Sequence, residues 1–372
     1  METKSMHSYS NYLKYLIKGN IIKYIVLVMF AMVSVSGVAH IYPVIDTLDI
    51  YLRLDYGSIV FPAFLAVYVI AFLELNKFFN KRNLDSWFSL PISRTKILSA
   101  HITNAVIQVL LFVGTQFIGT IISIANECGR KYASFSDMVD IGSLGLCFFA
   151  LLIASLLSCL FAMFVVNIAN NAFDAFVFAI AYTVLPMVFV ELLIAPLNRI
   201  LDDRTFGTIS GVSYSPTIFA GGFVSELFIK MNNEDYGYYS LFISNSRLPP
   251  LWATLLMLVI FAVSGILLIK MFNRKKAYEA EGPSLSIFGY RTLIPILIFT
   301  ETVVPIYSMI EYQSFFQDFL LMIVALLFML PRFYVYYIIF RRTWRIKKVD
   351  ILSALGAILA AGLYALLLSL VE

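Results

Sequence analysis

Residue types that do chemistry in enzymes are present in this chain, but they are scattered. The three histidines, His7, His40 and His101, stand apart, and none lies in an HExxH pattern or beside a cysteine pair, so zinc chemistry has no support. No stretch reads GxxxxGK[ST], so the chain has no P-loop with which to bind ATP, and no GxSxG elbow presents a nucleophilic serine. No catalytic, cofactor-binding or metal-ligating residue is therefore assigned. The three cysteines form no disulfide framework: Cys147 and Cys159 lie in an apolar run, and Cys128 falls in an expected outer loop.

Ionisable residues inside apolar runs carry more weight, because a charge at the centre of a membrane helix costs at least about 2.5 kcal/mol on insertion scales. Glu74, Asp174 and Glu191 lie near the ends of their runs, within reach of water, where structural roles are expected. Glu301 differs, since it sits about 11 residues into its run, or roughly 16 Å at 1.5 Å per residue. Arg332, just after Pro331, lies at a similar depth in the next run. Glu301 and Arg332 are expected to form an intramembrane ion pair that holds these two spans together as a hairpin. The densest aromatic patch, RFYVYYIIF at 332–340, reads as an interfacial anchor.

The elements that must position these residues follow from composition. With 60% hydrophobic and 13% charged residues over 372 positions, the chain departs from soluble proteins, in which about a quarter of residues are charged. Several continuous runs of roughly 20 apolar residues define an all-α, polytopic helical integral membrane protein and exclude a β-barrel. About nine transmembrane helices are expected: 21–41, 58–79, 104–125, 143–166, 172–195, 251–272, 290–310, 319–340 and 351–371. The first is read as a retained span and not a cleaved leader, since its polar N-terminal part is long. Ahead of it, Tyr9, Tyr12, Leu13 and Leu16 share a helical stripe that Lys14 and Lys18 avoid, as in an interfacial helix. Residues 196–249 include a centre too broken by Gly and Pro for a span yet too apolar for a free loop, which suits a re-entrant outer segment.

With this topology Lys and Arg partition about three to one toward the side holding the N-terminus, which places it in the cytoplasm by the positive-inside rule. The net charge of +4 thus speaks to orientation and to contact with membrane lipids, not to nucleic acid.

The main polar interruption is 74–101, with Lys77, Lys81, Arg82, Arg94 and Lys96 on the cytoplasmic side. Within it Leu84, Trp87, Phe88 and Ile92 fall at helical spacing; Pro91 then disfavours helix at Leu90, and Ser93 can cap a new helix. A short amphipathic helix, a break and a restart suit docking of a soluble partner, while the plainer reading is a loop whose Trp and Phe rest in the lipid interface.

This order of elements, and above all WFSLPISRTK at 87–96, resembles the permease subunit of type-2 ABC exporters, a group that includes bacterial drug, antimicrobial-peptide and polysaccharide exporters. The likeness covers roughly residues 8–276: a basic amphipathic N-terminal helix, six spans, a coupling helix between the second and third, and a re-entrant stretch between the fifth and sixth. It implies that 83–94 is the coupling helix seated against a separate ATP-binding cassette subunit that carries ATP-Mg. Asn83, Leu84, Trp87, Phe88, Leu90, Pro91 and Arg94 would form that contact, with Trp87, Phe88 and Leu90 as apolar anchor and Arg94 at the polar rim. A second permease copy or a sister permease, a bacterial plasma-membrane location and export of a peptide, drug or lipid-like substrate are implied with it. The chain departs from the six-span pattern in residues 277–372, read as an additional three-span unit.

Two other readings stand beside this one. An ion-gradient-driven secondary transporter would show paired broken helices in related halves, and no internal repeat is evident. A membrane enzyme or sensor would need a clustered polar constellation, which spacing does not provide. The permease reading predicts that Trp87→Asp with Phe88→Asp abolishes co-purification with the ATPase.

Overall fold

The computed structural model describes residues 2–43, 50–131, 140–200, 215–231, 251–284, 286–312, 331–340, 342 and 344–371. Of these, 85% are helical. Five helices are long and apolar enough to cross a membrane, or six if one bent pair counts as a single span. The fold is that of a polytopic helical membrane protein; the nine spans expected are not reached among the described residues, and 319–330 of the eighth lie outside them.

The chain packs as two compact units, one of residues 1–167 with 216–277 and one of 168–215 with 278–372. In this division residues 168–200 group with the C-terminal part.

In the first unit α1 (Glu2–Gly19) and α2 (Ile21–Ser34) meet at a 57° bend beside Asn20. Tyr12 and Leu16 are buried while Lys14 and Lys18 are exposed, as the stripe predicted. Most large α2 side chains, among them Ile22, Met29 and Val33, are exposed, as suits a lipid-facing helix. An antiparallel hairpin follows that sequence periodicity did not anticipate, β1 (Ala39–Pro43) with β2 (Ile50–Leu54), in register Ala39–Leu54 and Ile41–Leu52.

Next come α3 (Gly57–Leu75), the short α4 (Lys81–Phe88), and α5 (Arg94–Lys131), whose 38 residues extend about 57 Å. Since α5 continues to Lys131, Cys128 is a buried helical residue and not a loop residue. This helix packs against α1, α2 and α3.

Helix α6 is Ile141–Ile168 and starts at Asp140, whose carboxylate accepts the amides of Gly142 and Ser143 and the Ser143 hydroxyl. These bonds, the Ser143 hydroxyl first, hold the Asp140 carboxyl below its ordinary range. Helix α7 is Ala172–Ile200 and belongs to the second unit. Helix α8, Pro216–Met231, covers the middle of the expected re-entrant segment. Its 16 residues are too few to span a bilayer, and Phe219, Val224 and Phe228 are buried. Helix α9, Leu251–Arg274, closes the first unit.

The second unit adds α10 (Tyr290–Tyr312), α11 (331–340) and α12 (Lys348–Val371). Leu192, Val303 and Ala361 bring α7, α10 and α12 to one core, with Phe299 and Tyr364 packed around it. At its other end lies Asp174, only 2% exposed although the sequence put it within reach of water. Asn171 caps α7 by accepting the Asp174 amide at 2.9 Å. The Asp174 carboxylate accepts from Asn171 Nδ2 at 2.6 Å, from the Ser284 amide at 3.2 Å and hydroxyl at 2.5 Å, and from Tyr290 Oη at 2.6 Å. Arg342 lies 3.7 Å away and donates to the Glu281 carbonyl. The 281–284 backbone is further tied to Asn170 and Asn171.

Asp174→Ala strands several buried donors at once and is expected to destabilise the chain by about 3 kcal/mol. Asp174→Asn, which keeps one acceptor, should cost less. Thermal unfolding in detergent measures both, and the alanine variant should melt at the lower temperature.

Candidate functional site: the 74–101 element and its buried carboxylate

The local structure of this element follows its sequence. Asn80 caps α4, its Oδ1 accepting the amides of Arg82 at 3.0 Å and Asn83 at 3.3 Å. The helix ends at Phe88, Pro91 sits in the break, and α5 starts at Arg94. Ser93 occupies the cap position through its carbonyl, which accepts the Ile97 amide, while its hydroxyl pairs with that of Thr95 at 3.2 Å.

The apolar face of α4 turns inward. Leu84 is fully buried, and Trp87, Phe88 and Leu90 are half-buried. The Trp87 ring meets Tyr12 of α1 edge-on at 5.6 Å, with the Lys77 ammonium 5.8 Å from its centre. Phe88 meets Phe272 of α9 edge-on at 6.1 Å, and the Arg94 guanidinium lies 4.0 Å over its ring. Arg94 Nη1 also donates to the carbonyls of Asn273 at 3.0 Å and Lys275 at 2.8 Å, at the C-terminus of α9, where a cation is favoured.

So Trp87, Phe88 and Arg94, expected to face a partner, are engaged with the chain's own helices. The exposed face consists of Lys81, Arg82, Asn83, Asp85, Ser86 and Ser89, and Pro91 is exposed beyond it. Arg82, Asp85, Ser86 and Ser89 recur at i, i+3, i+4 and i+7, a polar stripe opposite Leu84.

Beneath α4 lies a polar cluster that sequence reasoning missed. Glu74, at the end of α3, is 1% exposed and not within reach of water. His101, treated as isolated, faces it: Nδ1 is 2.9 Å from Glu74 Oε2. Asn104 Nδ2 and Gln108 Nε2 donate to Oε1 at 2.9 and 2.8 Å, and Lys23 Nζ is 3.9 Å from it. Tyr12 Oη lies 3.0 Å from His101 Nε2, and Tyr24 Oη donates to Asn104 Oδ1 at 2.5 Å. A neutral imidazole donating from Nδ1 to the carboxylate leaves Nε2 to accept the Tyr12 hydroxyl. The signal was available: His101, Asn104 and Gln108 stand at i, i+3 and i+7 in an otherwise apolar run, one face of a helix aimed at an acid.

The cluster joins α1, α2, α3 and α5 and reaches α4 through Tyr12 and Trp87. All the donors on Glu74 are side chains of the fold. Among the described residues no group of three or more His, Cys, Asp or Glu is placed to hold a metal ion.

The other predicted site is rearranged. Glu301 Oε1 accepts from Tyr336 Oη of α11 at 2.6 Å, while Oε2 has no hydrogen-bond partner among the described residues. Arg332, one turn before Tyr336, is exposed and forms no ion pair with Glu301. A phenol meets the acid in place of a guanidinium because solvent or headgroups satisfy an exposed Arg more cheaply than burial does. Glu191's side chain lies outside the described residues.

No family model matches this chain, and neither a curated protein nor a solved structure does.

Glu74→Ala leaves three buried donors facing a void and is expected to destabilise the chain by about 3–5 kcal/mol. Tyr12→Phe removes one hydrogen bond and should cost about 1 kcal/mol. Thermal unfolding of the purified variants in detergent checks this order.

Proposed function

We propose that the chain is the membrane-spanning subunit of an ATP-driven exporter, worked by a separate ATP-binding cassette subunit that docks on α4 from the cytoplasm. One observation carries the reading. A short capped helix between two spans is locked by its apolar face to α1, α5 and α9 and offers a polar stripe outward, so force on that stripe is passed to these three helices. The WFSLPISRTK run and the order of elements support it. ATP-Mg belongs to the partner, a second permease copy completes the membrane part, and the cargo is a peptide, drug or lipid-like molecule.

Of the contact set implied by the resemblance, Asn83 and Pro91 lie on the exposed face proposed for docking, and Leu84, Trp87, Phe88, Leu90 and Arg94 lie behind it. Trp87 and Phe88 act as the inner half of the joint, so substituting both with Asp would disturb folding as well as docking. Asp85→Lys with Ser86→Arg changes exposed side chains only. This pair is expected to weaken co-purification with an ATPase from the same cell by at least about tenfold, or 1.4 kcal/mol, with the unfolding temperature unchanged. Undiminished association and transport in that variant would overturn the assignment.

The buried Glu74–His101 pair favours one second reading, transport driven by a proton gradient, since an intramembrane carboxylate is a common proton site. Transport that survives ATP depletion and stops with a protonophore would select it.

A further inference from the structure

We propose that the end of α5 remote from α4 binds the head of a phospholipid-like amphiphile that carries both an ammonium and a phosphate. A cleft of about 470 Å³ lies there, within the size range of small-molecule sites. One wall is a single face of α5: Gly119, Ile122, Ser123, Asn126, Glu127 and Arg130 recur at helical spacing over about 16 Å. The other is the end of α2, the turn through Gly37 and the start of β1 with His40.

Three features identify the ligand class. First, the cleft is graded along its length. Along α5 the lining passes from Ile122, which lies with Met32 and Val35, through Ser123 and Asn126 to Glu127 and Arg130, and the largely exposed Arg130 marks the mouth. At the apolar end the chain past α2 and helix α5 approach closely: a Cβ on Gly119 would lie 2.5 Å from Val35 Cγ2. Second, the apolar lining is continuous with exposed apolar side chains: Met32 and Ile122 are themselves exposed, as are Met29, Val33 and Ile118 next to them on the same helices. A tail lying on these side chains stays in hydrocarbon while its head reaches the mouth.

Third, the mouth carries both signs of charge. Glu127 Oε2 and Arg130 Nη1 are 3.9 Å apart, and the Arg130 side chain is 79% exposed. At 3.9 Å and with Arg130 largely in water the pair is weak, so Arg130 can turn to a ligand, while Glu127, 18% exposed, meets it from the α5 wall. A phosphate on Arg130 and an ammonium on Glu127 form charge-assisted hydrogen bonds with both. A purely anionic head would set a negative charge against Glu127, and a purely cationic one a positive charge against Arg130. The inference rests on the chain being membrane-spanning and requires no ATPase; within the exporter reading it narrows the lipid-like cargo or effector to zwitterionic amphiphiles.

Full-length protein in detergent is titrated with dihexanoyl phosphatidylethanolamine and, separately, dihexanoyl phosphatidylglycerol, with bound lipid counted by native mass spectrometry. One saturable site is expected for the first, and at least about fivefold weaker binding for the second. Arg130→Ala and Glu127→Gln should each weaken the first by a similar factor, and Glu127→Gln should narrow the gap between the two lipids. Ile122→Trp fills the cleft from an exposed position and should remove the saturable site with little change in unfolding temperature. If that variant is unstable, the two mouth substitutions decide alone. Equal, non-saturating binding of both lipids in all proteins would mean annular lipid only and would overturn the proposal. ATPase association through α4, measured on the same variants, should be unchanged; no saturable lipid site in the unsubstituted protein, with association intact, refutes this site and leaves the exporter reading standing. Intact lipid binding without any ATPase does the reverse.

Discussion

A carboxylate enclosed among membrane helices must be met by donors from the protein, because hydrocarbon supplies none. Glu74 imposes that requirement on the first unit. Its two oxygens fix the rotation of α5, since His101, Asn104 and Gln108 satisfy it only when one face of that helix points at α3. His101 in turn sets where Tyr12, and hence α1, can lie, and Tyr12 gives Trp87 the surface on which α4 rests. The geometry of the cytoplasmic joint proposed here is therefore a consequence of one buried charge. Removing an acid in such a place is costly less for the bond lost than for the donors left stranded.

The second unit repeats the solution with a different acid. Asp174 gathers the turn at 170–171, the strand of backbone at 281–284, and Tyr290 at the start of α10. Glu301 shows the partial case, one oxygen bonded to Tyr336 and the other without a hydrogen-bond partner among the described residues. The contrast separates acids that organise their surroundings from one that is merely tolerated.

Much of the local structure was legible in the sequence because it is written in short-range signals. The Tyr12–Leu16 stripe, the 81–88 helix, the break at Pro91 and the restart at Arg94 depend on neighbours within a turn or two. Less legible was which way side chains point once helices meet. Leu84, Trp87 and Phe88 were recognised as one apolar face, yet apolarity alone does not distinguish a face that greets a partner from one that greets α1 and α9. The Glu74–His101 contact spans 27 residues and a helical turn between spans, and depth was judged for each acid singly. The pairing of 39–43 with 50–54 and the grouping of 168–200 with the C-terminal part come from tertiary contacts that periodicity does not encode. Among the described residues five helices, or six with the bent α1–α2 pair as one, are long and apolar enough to span, against the nine expected from apolar runs.

Helix α5 has a further mechanical property. An unbroken helix about 57 Å long is a stiff rod, bending only gently along its length. Swinging such a rod by about 5° about one extremity carries the other sideways by about 5 Å, with every backbone hydrogen bond along it intact. A small rotation about Arg94 is thereby magnified at Arg130 into a displacement as wide as an acyl chain.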